Sequence, residues 1–152
     1  MKAIVQRVKG SKVTVNNNII GKIGQGFNVL LGVVEGDTES EAQMLAGKVA
    51  RLRVFEDENC KMNLSVNDIN GEILVISQFT LCACLKKGNR PSFTNSAEPK
   101  VAKRLYECFI EELKKNGVKN VEQGVFAADM QVEIHNDGPV TIMLDTDIWM
   151  KR

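Results

Sequence analysis

The sequence predicts a single α+β domain whose mostly antiparallel, barrel-like sheet carries two main helices. Length comes first: 152 residues is typical of one domain, and folding at this size hides roughly 68 to 70% of the surface an unfolded chain exposes. The second observation is the order of apolar periods, which runs several β, α, β, α, several β. Third, no repeat and no disordered linker interrupts residues 1–152, so one unit is expected.

Alternation opens the chain, with Ala3, Val5 and Arg7 set against Ile4, Gln6 and Val8. Val13 and Val15 follow, then Ile19, Ile20 and Ile23 after the cluster Asn16-Asn17-Asn18. Apolar residues at a period of two between turn formers predict antiparallel strands joined by hairpins. After Gly24-Gln25-Gly26, residues 27–34 are nearly continuously apolar, as in a strand buried on both faces. A helix comes next. Thr38 and Glu41 have the spacing of a capping box, and Ala42, Leu45, Val49 and Leu52 recur at helical intervals.

An acidic loop, Glu56-Asp57-Glu58, leads to the turn pair Asn70-Gly71, and residues 72–81, rich in Ile, Leu and Val, are expected to form a central strand. Residues 86–91 make a Gly/Pro/basic loop before a second helix. Pro99 fits its first turn, where amides have no helical acceptor; Ala102, Leu105, Phe109 and Leu113 form its stripe, and Gly117 ends it. Strand-like runs at 121–125, 130–135 and 140–144 complete the chain.

Composition removes several function classes. Twenty Lys+Arg against nineteen Asp+Glu leave a formal charge of +1, so a polyanion must be met by a local patch, and histone-like wrapping is excluded. Six Phe, one Tyr and one Trp are few for a module that holds a strand by stacking successive bases. Cys60, Cys82, Cys84 and Cys108 include no C-x-x-C pair, and with no apolar signal segment they read as reduced thiols of a cytoplasmic protein. Cys82 and Cys84, two apart in an expected strand, fill one face more readily than they bind metal. No metal or other cofactor is implied. The longest apolar stretch, 27–34, is broken by Asn28 and Gly32 and falls far short of the ~20 residues of a membrane helix, so no membrane partner is expected. The single histidine, His135, starves most histidine-dependent hydrolase chemistry.

Two polar clusters interrupt apolar strands. Ser77-Gln78-Phe79-Thr80 lies between Ile73-Leu74-Val75-Ile76 and Leu81; left unpaired, each buried polar group costs roughly 1 to 3 kcal/mol, so these groups bond local backbone or face a ligand. Asn136-Asp137-Gly138-Pro139-Val140-Thr141 by itself reads as a plain hairpin turn.

Taken together, with Lys86-Lys87-Gly88-Asn89-Arg90-Pro91-Ser92-Phe93 between them, the clusters resemble the D-aminoacyl-tRNA deacylase family. The similarity spans essentially the whole chain, including Gln6-Arg7-Val8, Val13-Thr14-Val15, Gly36-Asp37-Thr38-Glu39, Phe55-Glu56-Asp57-Glu58, Lys61-Met62-Asn63 and Ala128-Asp129-Met130. The resemblance implies a homodimeric, cytoplasmic esterase that removes D-amino acids, and also glycine, from tRNA. In that family the Gly-Pro peptide, here Gly138-Pro139, is cis and enters the partner subunit's pocket, where its carbonyl oxygens exclude L-residues. Ser77, Gln78, Phe79 and Thr80 form the other wall and take the catalytic role. Phe126 and Met130 neighbour the terminal adenosine by their place in the family pattern, Asn136 joins the substrate-binding set, and Lys86, Lys87 and Arg90 face phosphates of the acceptor end. Where the family commonly has Tyr and Asp or Asn after its Thr-Leu pair, this chain has Cys82 and Cys84, a departure that affects the packing of the loop.

Elementary chemistry agrees with that implication. An enzyme that accepts any D-side chain cannot read it, so selection acts at the α-carbon through rigid main-chain atoms; a thousandfold ratio requires only ~4 kcal/mol. Neither Ser77 nor Thr80 has an obvious base, and no G-x-S-x-G elbow is present. His135 reads as strand filler. Substrate-assisted hydrolysis fits better, with a free ribose hydroxyl helping the water while backbone N–H groups near Phe79 and Thr80 hold the oxyanion. The rival is a non-catalytic module for tRNA or single-stranded nucleic acid, using the 86–90 loop with Lys100, Lys103 and Arg104.

Overall fold

The structure is a computed structural model and describes residues 1–150; the last two residues of the expected single unit lie outside them. Strand β1 (Lys2–Val15) organises the rest. Its first half pairs antiparallel with β3 (Gly26–Gly32), its second half with β2 (Asn18–Ile23), and β8 (Gln131–Asp145) covers its other edge. From β3 the sheet continues in parallel through β6 (Glu72–Ser77) to β7 (Asn120–Gln123). Parallel neighbours need long crossovers, and two helices supply them. Helix α1 (Glu39–Ala50) lies between β3 and β6, and α2 (Pro99–Lys115) between β6 and β7. Because β2 also packs against β6 and β7, the sheet curls nearly into a barrel.

Alternation sorts the strands into two cores. Ala3 and Val5, Phe27, Val29 and Leu31, and Ile73 and Val75 face the helices, meeting Ala42, Leu45 and Val49 of α1 and Leu105, Phe109 and Leu113 of α2. Full burial of a side chain such as Leu105 (0% exposed) contributes ~1.5–3 kcal/mol. On the opposite face Val8, Val13, Ile23, Leu74 and Ile76 fill the curled sheet. The capping box on α1 is complete: Ser40 N donates to Thr38 Oγ1 at 3.2 Å and Thr38 N to Glu41 Oε2 at 2.7 Å. Gly117 ends α2 with φ +95°. Among the described residues no helix is long and apolar enough to cross a membrane.

Four local expectations are corrected. The strand expected over 72–81 stops at Ser77, and a 3₁₀ turn, Phe79–Cys82, replaces its second half. The cause is the end of its neighbour: Leu31 is the last β3 residue to pair with β6, and Gln78 N closes the ladder on Leu31 O at 2.8 Å. Gly32 permits the turn, since a Cβ there would lie 3.0 Å from Gln78 O. Cys82 and Cys84 therefore do not share a strand face; Cys82 is buried with its thiol donating to Val33 O, and Cys84 pairs with Ser92. The acidic loop is instead part of a small hairpin of β4 (Phe55–Glu56) and β5 (Met62–Leu64). Its turn folds on Asp57, which accepts the amides of Lys61 and Asn59, bonds that hold its carboxyl below the usual range.

The fourth concerns β8. Residues 136–141 are no hairpin, and the runs at 130–135 and 140–144 are one strand, β8. Gln6 pairs with Thr141 and Val8 with Asn136, so Asp137, Gly138, Pro139 and Val140 all stand opposite Arg7. The surplus leaves the ladder as a wide bulge.

Candidate functional site

A mostly apolar cleft of about 680 Å³ opens where β6 ends. Ser77, Gln78 and Phe79 form one wall, Phe93 the rim, Pro99 and Ala102 of α2 the floor, and Phe126, Met130 and Val132 the far wall. Tyr106 braces that far wall from behind. Its ring lies 5.9 Å from that of Phe126, and its buried hydroxyl donates to Val75 O at 2.8 Å, two residues before Ser77. Burial pushes its phenol well above the ordinary tyrosine value.

The turn at Phe79–Cys82 shapes the wall formed by Ser77, Gln78 and Phe79. Gln78 N is committed to Leu31 O and Leu81 N to Gln78 O, whereas amides in a first helical turn have no acceptor within the helix, which is the situation of Phe79 and Thr80. The Gln78 side-chain amide donates to Thr80 Oγ1. That bond occupies a lone pair of the hydroxyl and supplies no base to remove its proton. His135 lies elsewhere, on a shallow depression with Lys12, Lys22 and Glu133. Glu98, just before α2, is the only ionisable side chain on the described lining. Among the described residues no three His, Cys, Asp or Glu side chains gather as a metal site requires. The wall therefore offers hydroxyls, one amide and main-chain N–H groups.

The bulge of β8 is a second, separate feature. The Gly138-Pro139 peptide is cis, and both residues are exposed. Arg7 braces it from beneath: Nε donates to Asp137 O at 3.1 Å, Nη1 donates to Val54 O at 2.6 Å, and the Asp137 carboxylate lies 3.6 Å from Nε. Arg7, a charged residue only 6% exposed, is thus held by two carbonyls and a counter-charge.

Of the residues singled out from sequence, Ser77, Gln78, Phe79, Phe126 and Met130 meet at the cleft. Thr80 is exposed beside it, while Lys86, Lys87 and Arg90 are exposed on a loop tied by the reciprocal Cys84–Ser92 pair. Asn136, Gly138 and Pro139 do not line their own chain's cleft. Sequence reasoning gave Arg7 and Phe93 a place in the motifs but no role at the site, and it passed over Tyr106 and Glu98. For Arg7 a signal existed, a charged residue at an inward position of an alternating strand.

The family described as D-Tyr-tRNA(Tyr) deacylase matches residues 4–145. A D-aminoacyl-tRNA deacylase of Persephonella marina is 56% identical over 96% of this chain and 98% of its own. One of Clostridioides difficile is 55% identical over 96% and 97%. Among solved structures, "c-Myc DNA Unwinding Element Binding Protein" superposes with TM-score 0.90 at 46% identity, covering 95% of this chain and 98% of that one. A probable eukaryotic D-amino acid tRNA deacylase shares the fold, with TM-score 0.80 at 17% identity over 94% and 97%.

Proposed function

The chain belongs to the D-Tyr-tRNA(Tyr) deacylase family and is a hydrolase of D-aminoacyl-tRNA, and from that premise we propose that it works as a chirality filter completed by a second copy of itself. Residues 1–152 act as one cytoplasmic domain. The terminal adenosine of an aminoacylated tRNA lies against Phe126 and Met130, its ester faces Ser77, Gln78, Phe79 and Thr80, and Gly138 and Pro139 of one subunit enter the cleft of the other. Asn136 supports the wedge beside the substrate. Lys86, Lys87 and Arg90 draw the phosphates of the acceptor end.

One observation carries this reading: the wedge and the cleft are separate in a single chain. A stiff, exposed main-chain bulge braced by buried Arg7 has no work in its own cleft, which it does not line. A symmetric pair gives each wedge a cleft.

Hydrolysis then runs on positioned main chain. Water adds to the ester carbonyl carbon, and the amides of Phe79 and Thr80 hold the oxyanion. Collapse breaks the bond to the ribose oxygen, and the water's proton passes to that oxygen with help from the neighbouring ribose hydroxyl. A D-side chain points away from the wedge, an L-side chain meets its carbonyl oxygens, and glycine passes because it presents only hydrogen there.

Matched D-, L- and glycyl-tRNA substrates test this directly, alongside sedimentation of the protein. Turnover of D- and glycyl-tRNA by a dimer, with L-substrate slower by about a thousandfold, corresponding to ~4 kcal/mol, is expected. Equal rates for D and L, or a monomer that discriminates fully, would refute the filter.

A structural relative named for binding a DNA unwinding element favours a second reading, binding of nucleic acid without turnover. Charge pairing weakens it, since Arg104 bonds Glu39 and Lys103 lies 4.0 Å from Glu107. Salt-dependent binding of uncharged tRNA with no ester turnover would support it.

A further inference from the structure

Phe79 is a large ring left 57% exposed at the mouth of a cleft it also lines. Among the described residues one aromatic neighbour holds it: Phe93, at 5.0 Å between centroids and 69° between planes. An edge contact of this kind fixes a ring and leaves a face of Phe79 uncovered by its own chain. Between the two rings the chain makes the loop closed by Cys84 and Ser92, whose backbones exchange bonds of 2.8 and 3.0 Å. Its tip carries Lys86, Lys87 and Arg90, all exposed, and residues 79–97 contain no acidic side chain, the first beyond them being Glu98 on the cleft lining. An exposed aromatic face beside concentrated positive charge, in a protein with a formal charge of only +1, is the combination that holds a single-stranded nucleic acid by stacking one base and attracting its phosphate.

We propose that Phe79, backed by Phe93, is a stacking platform for the nucleobase on the 5′ side of the terminal adenosine, with the phosphate between the two nucleosides drawn to the 86–90 loop. This rests on the reading of the cleft as the seat of the aminoacyl-adenosine. The scarcity of aromatics fits a platform for one base, and stacking tolerates any base. A single platform suits a substrate whose last nucleotides are unpaired and common to all tRNAs.

The test uses two non-hydrolysable ligands, an amide-linked D-aminoacyl adenosine and the same group on the dinucleotide cytidylyl-adenosine, titrated calorimetrically into the full-length protein. The dinucleotide should bind at least about fivefold more tightly, the low end of one base–aromatic stack. In Phe79→Leu, which keeps the backbone and an apolar side chain, the ratio of the two affinities should fall to about one; in Phe79→Trp it should persist. Part of the wild-type advantage should survive in high salt. A dinucleotide that gains nothing, a ratio unchanged in Phe79→Leu, or a gain wholly abolished by salt would overturn the platform alone, because adenosine binding would still stand. Failure of both ligands to bind would remove the cleft assignment and the platform with it. Dissociation of the dimer by Phe79→Leu would show that the ring's free face meets protein, which also overturns the proposal.

Discussion

Replacing Gly138 with alanine tests the wedge at its tip. Gly138 has φ +126°, and an added Cβ would stand 3.0 Å from both Val140 N and Val140 Cγ2 and 3.2 Å from Arg7 Nη2. The Val140 nitrogen is main chain and cannot rotate aside, and Arg7 is tied to Asp137 O and Val54 O. The bulge must shift. Holding a side chain in this region of backbone space costs on the order of 1–3 kcal/mol, and ~2–4 °C of Tm per kcal/mol in a domain this size puts the loss at roughly 2 to 12 °C. Because Gly138 is exposed, relaxation stays local and the fold persists. Function is more sensitive than folding, since about 1 Å of misplacement can change a rate ~100-fold. The D-to-L ratio in Gly138→Ala should therefore fall at least about tenfold, mainly through faster loss of L-amino acid. Hydrolysis of matched D- and L-aminoacyl-tRNA, measured beside a thermal melt, reads both quantities. A lowered Tm with an unchanged ratio would refute the reasoning.

Three further outcomes are expected. Thr80→Ala removes an exposed hydroxyl that has no base, so it should retain at least about a tenth of wild-type turnover; complete loss in a folded variant would make that hydroxyl the nucleophile. Tyr106→Phe deletes the buried bond to Val75 O, which still accepts Gly124 N at 3.1 Å, so stability should fall by only ~1 kcal/mol. Since burial raises the Tyr106 pKa, its contribution is complete below the unfolded value of about 10 and is lost as pH climbs through the folded value; urea midpoints should drop less steeply above pH ~10 in Tyr106→Phe than in wild type. Thiol alkylation at mildly alkaline pH, followed by mass spectrometry, should modify exposed Cys60 first and leave Cys82 until the protein unfolds, because burial pushes the Cys82 thiol up; equal rates at the two sites would contradict the buried position of Cys82.

What could be read from sequence was local. The capping box at Thr38, the buried run of β3, the stripe of α2 and the glycine stop at Gly117 each depend on residues within a turn or two of one another. Where a distant partner decides, sequence was ambiguous. Asn136, Asp137, Gly138 and Pro139 suit a turn and a bulge equally, and the choice is made by β1, which pairs on both sides of them. Residues 72–81 look strand-like throughout, yet β3 runs out after Leu31 and the chain turns. The parallel pairings escaped notice for the same reason, since alternation does not say which neighbour a strand takes. At the site, Ser77, Gln78, Phe79, Phe126 and Met130 were legible through the family resemblance and meet at one cleft. Arg7 stands in a legible motif but its brace does not, because Asp137 and Val54 are distant in sequence, and Tyr106 and Glu98 depend on three-dimensional neighbours that no short motif encodes.

Both segments assigned to function lie where a strand loses its regularity, and this has a physical basis. In an intact ladder each main-chain N–H and C=O is spent on the neighbouring strand. Only an interruption frees such groups for a ligand. β6 ends beside the last paired residue of β3, so the amides of the Phe79–Cys82 turn leave the sheet at the cleft wall; β8 bulges opposite Arg7, so the carbonyls around Gly138 leave it at the surface. In the proposed reaction these are the two kinds of atom required, donors for an oxyanion and acceptors that crowd an α-carbon. The brace makes the second interruption usable. Without the bonds from Arg7 to Asp137 O and Val54 O, a bulge of four residues opposite one would be a soft loop, and a soft loop cannot sustain a ~4 kcal/mol difference between substrates that differ only at the α-carbon when small displacements relieve a clash. In the proposed filter, the buried Arg7 of β1 is therefore as much a requirement of selection as the exposed Gly138-Pro139 unit it supports.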